Sequence, residues 1–99
     1  MPNSIVWSQN ALNQFRSTVI YWDHRNQSQA YSKRLKRLLN REIELIRKYP
    51  YAFPEVAFGI RKMVFDNFIL NYLVFDDRIL IIHMYDCRQL GPDYRTKSI

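Results

Sequence analysis

Residues 60–85 decide the fold: Ile60-Arg-Lys-Met-Val-Phe65, then Asp66-Asn67, Phe68-Ile-Leu-Asn-Tyr-Leu-Val-Phe75, Asp76-Asp77, and Arg78-Ile-Leu-Ile-Ile-His-Met-Tyr85. Three runs rich in Ile, Val, Phe and Tyr are parted by two polar pairs. Such residues suit a half-buried pleated surface, and two-residue polar breaks are hairpin lengths. A three-stranded antiparallel meander is predicted. With both turns two residues long, Phe65 faces Phe68, Met63 faces Leu70 and Arg61 faces Tyr72; beyond the second turn, Leu73 faces Leu80 and Asn71 faces Ile82. Alternation then puts Arg61, Met63, Phe65, Leu70, Tyr72, Ile81, His83 and Tyr85 on one face, the better candidate for packing on helices. Lys62, Asn71, Leu73, Ile82, Met84 and Asp86 share the other, a partly open surface with Arg88 continuing its parity.

Upstream, Ile5-Val-Trp7 predicts a short strand and Ser8 a helix N-cap, with Trp7 and Leu12 at hydrophobic-staple positions. Ala11, Leu12, Phe15, Val19 and Trp22 recur at helical spacing, which predicts a helix over about 9–23. His24 to Ser28 is a polar break, with Asn26 or Ser28 able to cap a second helix that Pro50 stops. Its buried face is Tyr31, Leu35, Leu38, Leu39, Ile46 and Tyr49. The short connection makes an antiparallel helical hairpin. The expected class is α+β: an N-terminal strand, the hairpin, then the meander, with the helices on one sheet face. All 99 residues are expected to form one domain, ending in a loosely attached tail from about Gln89 to Ile99.

The formal charge is +6, and it is localised. Between Arg25 and Lys48 eight cations meet two carboxylates; the rest of the chain is balanced at seven of each. A basic helix attracts polyanions or acidic proteins, unless it is simply a solvated face. The two glycines, Gly59 and Gly91, build no glycine-rich phosphate cradle. No apolar run approaches the ~20 residues of a membrane helix, and Met1 to Trp7 lacks the pattern of a signal peptide. With one cysteine, Cys87, there is no disulfide framework, and a cytoplasmic setting is expected.

Little catalytic chemistry is legible. His83 and Cys87 lie roughly 13 Å apart in an extended strand, too far to share one ion, so no metal site and no cofactor is expected. Asp76-Asp77 reads as turn chemistry, Cys87 as a small hydrophobe, and His83 as a satisfied histidine on the packed face. Arg88 is either a surface partner of Asp86 or a phosphate or carboxylate clamp at the rim of the open face.

The order of elements resembles the RelE/ParE superfamily of type II toxins. The matching residues are Ile5-Val-Trp-Ser8, Tyr21-Trp22, Arg25-Asn26-x-Ser28, Tyr31-Ser-Lys-Arg-Leu35 and Glu44-Leu-Ile-Arg-Lys-Tyr-Pro50. Arg61-Lys62, Asn71-Tyr72 and Asp86-Cys-Arg-Gln89 complete the pattern, which runs to about Pro92. The resemblance implies a growth-inhibiting bacterial toxin, of the kind found in plasmid-stabilisation modules, neutralised by an acidic antitoxin meeting Arg34, Arg37 and Arg41. RelE-like members cut mRNA in the ribosome without metal; ParE-like members block DNA gyrase and have no nuclease site.

In the nuclease pattern the last-strand arginine falls on Arg88, one strand lysine on Lys62 and, by spacing, a late tyrosine near Tyr94. Two further basic positions are occupied by Ile60 and Ile69. Metal-free phosphate cleavage needs several preorganised charges, which isoleucine does not supply. With the ending Asp86-Cys87-Arg88-Gln89, this favours the ParE-like branch, where Arg61, Lys62, Asn71 and Arg88 would contact the target. The alternative is a ribosome-dependent mRNA interferase; a further one is a non-toxic basic nucleic-acid-binding module.

Overall fold

The computed structural model describes residues 4–89. Strand β1 (Ser4–Trp7) leads into helix α1 (Gln9–Asn26), and helix α2 (Ala30–Lys48) follows. Strands β2 (Glu55–Ala57), β3 (Ile60–Phe65), β4 (Phe68–Val74) and β5 (Arg78–Asp86) then precede a 3₁₀ turn, Cys87–Gln89. The architecture is α+β, as the sequence predicts. The tail beyond Gln89, with Tyr94 and Arg95, lies outside the described residues.

Ser8 caps α1 as expected. Its hydroxyl accepts the Ala11 N–H at 3.0 Å and donates to the Ile82 carbonyl at 3.1 Å, so the cap also ties the helix to the sheet. The helix runs three residues past Asp23 and stops at Gln27, whose left-handed backbone (φ 52°) turns the Gln27 and Ser28 N–H groups back onto the His24 and Asp23 carbonyls. The start of α2 takes its caps from two side chains: Ser28 Oγ accepts the Ala30 N–H, and Asp23 Oδ1 accepts the Ser32 N–H.

Leu35, Leu39, Ile43 and Ile46 form the buried stripe of α2, at i, i+4, i+8 and i+11. At roughly 1.5–3 kcal/mol for each buried side chain, this stripe is the main attachment of the basic helix. Tyr49, expected on that stripe, is the C-cap and is exposed. On α1, Ala11 and Thr18 are buried, and Phe15 and Val19 pack half-buried on the same core.

The sheet has five strands in the order β1-β5-β4-β3-β2. The meander is flanked on one side by β1, parallel to β5 with Val6 opposite Leu80, and on the other by β2, a strand the sequence reading did not foresee. Both predicted hairpins hold their register at the turns: Phe65 pairs with Phe68, Met63 with Leu70, Leu73 with Leu80.

The register breaks inside β5. Tyr72 pairs with Ile81 but Asn71 pairs with His83, which leaves Ile82 as an extra residue in a β-bulge. Beyond it every side chain changes face. Met84, opposite Leu70, enters the core, and Asp86, opposite Phe68, turns toward the helices. His83 and Tyr85, expected on the helix-packed face, lie half-buried on the other one, the face expected to be open, beside the buried Asn71 and Ile69. The Ser8 hydroxyl on the Ile82 carbonyl and the Gln14 Oε1 accepting the Met84 N–H at 2.8 Å occupy the strand edge at the bulge, where β1 has ended.

Candidate functional site

The middle of the open face carries a polar row. Lys62, Asn71 and His83 are cross-strand neighbours on β3, β4 and β5. Asn71 is fully buried, yet neither its amide nitrogen nor its amide oxygen has a hydrogen-bond partner among the described residues; the same holds for His83 Nδ1. Leaving such groups unpaired costs about 1–3 kcal/mol each, and natural proteins rarely retain them without a use. The His83 ring lies 5.3 Å from that of Tyr85, tilted by 32°. Around this row Val64, Ile69, Leu73 and Leu80 make the face apolar. The row sets a cation, a buried amide and an imidazole side by side across the strands.

Arg88 is elsewhere. The bulge carries the end of β5 to the helix side, and there the arginine is tied down. Its Nε lies 3.0 Å from Asp86 Oδ1, its Nη2 donates to Asp86 Oδ2 and to the Tyr31 hydroxyl, and its backbone N–H also reaches Asp86. The guanidinium lies 4.2 Å from the centre of the Trp22 ring. The Trp22 indole N–H donates to the second Asp86 oxygen at 2.6 Å. Burial alone would lower the Arg88 pKa; the hydrogen bonds to Asp86 and Tyr31 outweigh it and hold the guanidinium charged. Burial raises the Tyr31 pKa, and Arg88 only partly offsets that rise. Of the two readings of Arg88, the geometry gives the partner of Asp86, not a rim residue of the open face.

Arg61 also belongs to the helix side. Its Nη1 donates to the Phe53 carbonyl at 2.7 Å and the Tyr51 carbonyl at 3.3 Å, and its guanidinium stacks 5.0 Å from the Tyr51 ring centre. It fastens the 49–54 loop, together with the Tyr72 hydroxyl, which donates to the Pro50 carbonyl at 2.7 Å. Of the four residues expected to contact a target, the fold thus brings Lys62 and Asn71 together and sends Arg61 and Arg88 to the opposite face. Ile60 and Ile69 stand on the open face without charge. Arg78, at the start of β5, is engaged by Asp77 and by the Phe75 ring.

Arg34, Arg37 and Arg41 are exposed along α2, at i, i+3 and i+7, and none forms an ion pair among the described residues. A shallow cleft of about 260 Å³ lies between α1 and the end of β5, lined by Asn13, Gln14, Ser17, Thr18 and Met84. No described helix is long and apolar enough to cross a membrane. The sequence reading missed His83 as an open-face residue. Alternation alone could not find it, because the extra residue sits within the uniformly apolar run Ile79–Ile82.

No protein-family model matches the chain, and no curated protein does. Among solved structures it is similar to a chain of the "Chromosomal ParDE TA system from P. aeruginosa", with a TM-score of 0.57 and 12% sequence identity, over 84% of this chain and 94% of that one. At that identity the likeness is one of fold, and it agrees with the ParE-like architecture expected from the order of elements.

Proposed function

We propose that the protein is the toxin of a type II toxin–antitoxin module, held inactive by an acidic antitoxin, and that its target is DNA gyrase. The observation that carries this reading is the fold shared with the ParDE structure over most of both chains, joined to the sequence pattern that spans the same elements. The localised charge supports the partner: the exposed guanidinium stripe Arg34, Arg37 and Arg41 suits a chain of carboxylates.

The composition of the open face favours gyrase over mRNA cleavage. Lys62 is the one cation at its middle among the described residues. Removing a single stabilising donor from a transition state typically costs ~10²–10³ in rate, and Ile60 and Ile69 leave two such positions empty. Lys62 and Asn71 are then binding contacts. The experiment is induction of the protein alone in bacteria, followed by two assays with purified protein. The expected results are arrested growth, inhibition of gyrase supercoiling, and no codon-positioned cuts in mRNA on translating ribosomes. Clean cuts in the ribosomal A site would replace gyrase with the ribosome, and normal growth at demonstrated soluble expression would remove the toxin reading.

A further inference from the structure

The turns joining β2 to β3 and β4 to β5 lie at the same end of the sheet, and each presents a phenylalanine. Phe58 is 98% exposed, and Phe75 is 39% exposed. Phe58 and Gly59 form the two-residue connection between Ala57 and Ile60, with φ of 45° and 82°. Two left-handed residues in a two-residue hairpin make a type I′ turn, whose preferred sequence is Asn-Gly. Gly59 fits. Phe58 does not: a bulky side chain at positive φ is a conformational outlier, and here it gains no burial in return. A strained backbone combined with a fully solvated aromatic ring points to a use outside the folded chain.

The charges at this end are close to balanced, with a slight excess of carboxylate, unlike those of α2. From Tyr49 to Ile60 the chain has no lysine or arginine and one carboxylate, Glu55, which faces the Arg61 guanidinium of β3 at 3.9 Å. The neighbouring turn adds Asp76 and Asp77, both exposed, while Arg78 is held by Asp77 and stacked 4.8 Å from the centre of the Phe75 ring. With Glu55 facing Arg61 and Asp77 facing Arg78, Asp76 is the carboxylate of this end that has no ion pair among the described residues, so the surface lacks the net cationic pull that α2 exerts on an acidic antitoxin. It suits a protein with an apolar pocket rimmed by cations, into which an aromatic anchor inserts.

We propose that this end of the sheet, with Phe58 as its anchor, is a further surface, beside Lys62 and Asn71, through which the protein grips its protein target, apart from the basic helix that receives the antitoxin. The inference rests on the toxin reading above. The test is Phe58→Asn, which installs the preferred type I′ pair and so keeps the hairpin, alongside Asp76→Lys, which places a like charge against a cationic rim. Growth inhibition is measured at matched soluble expression, with thermal melting of each purified variant.

Phe58→Asn is expected to melt at or above the wild-type temperature while requiring at least tenfold more protein to halve growth; Asp76→Lys is expected to weaken inhibition several-fold. Full potency of Phe58→Asn beside a toxic wild type overturns the inference alone. So does a clear drop in its melting temperature, which would make Phe58 a structural residue. Full potency of Asp76→Lys overturns the cationic rim. A wild-type chain that leaves growth untouched removes the toxin reading and this inference together.

Discussion

The indole N–H of Trp22 donates to the carboxylate of Asp86 at 2.6 Å, across 64 positions of sequence. This bond joins the last turn but one of α1 to the final residue of β5. The Asp86 side chain is fully buried and takes its second partner from Arg88. Two cation–π contacts, to Trp22 and Tyr31, then place the guanidinium against both helices.

Arg88→Ala therefore acts on stability. It leaves a buried carboxylate with the Trp22 indole and one backbone N–H as its donors among the described residues, which costs about 1–3 kcal/mol. For a chain of this size the melting temperature falls by roughly 4–8 °C for each kcal/mol. The sequence alone predicts near-intact folding for this variant, because Arg88 follows the last strand. A denaturant titration decides between the two: a change below ~0.5 kcal/mol would show the cluster to be ornamental.

Reversing Arg34, Arg37 and Arg41 to glutamate is expected to slow association with the acidic protein that rescues growth by tenfold or more at low salt. The salt dependence of the rate should flatten at the same time, while the melting temperature changes little, because all three side chains are exposed and form no ion pair among the described residues. An unchanged rate and salt slope, measured by stopped flow, would move the docking surface off α2.

Asn71→Leu removes two buried polar atoms that have no partner among the described residues and replaces them with apolar volume. Stability is expected to rise by about 1–3 kcal/mol. If the polar row serves target binding, growth inhibition falls in the same variant, a trade of function for stability seen where sites keep unsatisfied groups. A destabilised Asn71→Leu would mean that the amide is already satisfied in the free protein.

Tyr72 supplies a pH signature. Its phenol is pushed up to about 12, chiefly by burial, with nearby Arg61 opposing. In the unfolded chain it ionises near 10. Below that pH both states are protonated and the residue contributes no pH dependence. Above it, the unfolded state loses the proton first, so stability declines from about pH 10 to about pH 12, by roughly 2–3 kcal/mol in all at ~1.4 kcal/mol per unit. Tyr72→Phe is expected to cost about 1 kcal/mol near neutrality, through the lost bond to the Pro50 carbonyl, and to lack this part of the alkaline decline. Denaturant midpoints of both proteins across that range test it.

The fold was legible wherever local chemistry and periodicity agreed. Ser8, the stripe through Leu35, Leu39 and Ile46, and the pairs Asp66-Asn67 and Asp76-Asp77 each specify a cap, a face or a turn from a few neighbouring residues. The site was less legible because its geometry hinges on Ile82. An extra residue among Ile79, Leu80 and Ile81 leaves no mark in an apolar run, yet it decides that His83 joins Asn71 and that Arg88 joins Trp22. Strand β2 was hidden for a related reason: three residues between Pro54 and the Phe58–Gly59 turn are too few to show a period.

The parallel pairing of β1 with β5 has a consequence for how the molecule comes into being. Among the described residues, 4–7 find their strand partner in residues 78–81 alone, so β1 cannot join the sheet until residue 81 has been made. Pairing at such separation is slow, because the loop must be closed before the contact repays it. Helices α1 and α2 can form early, and α2 then displays its guanidinium stripe on a chain whose sheet is still incomplete. A nascent chain therefore presents these charges before the two-turn end of the sheet exists. An acidic partner can dock on α2 during synthesis, while any contact made by the finished sheet has to wait for the last strand.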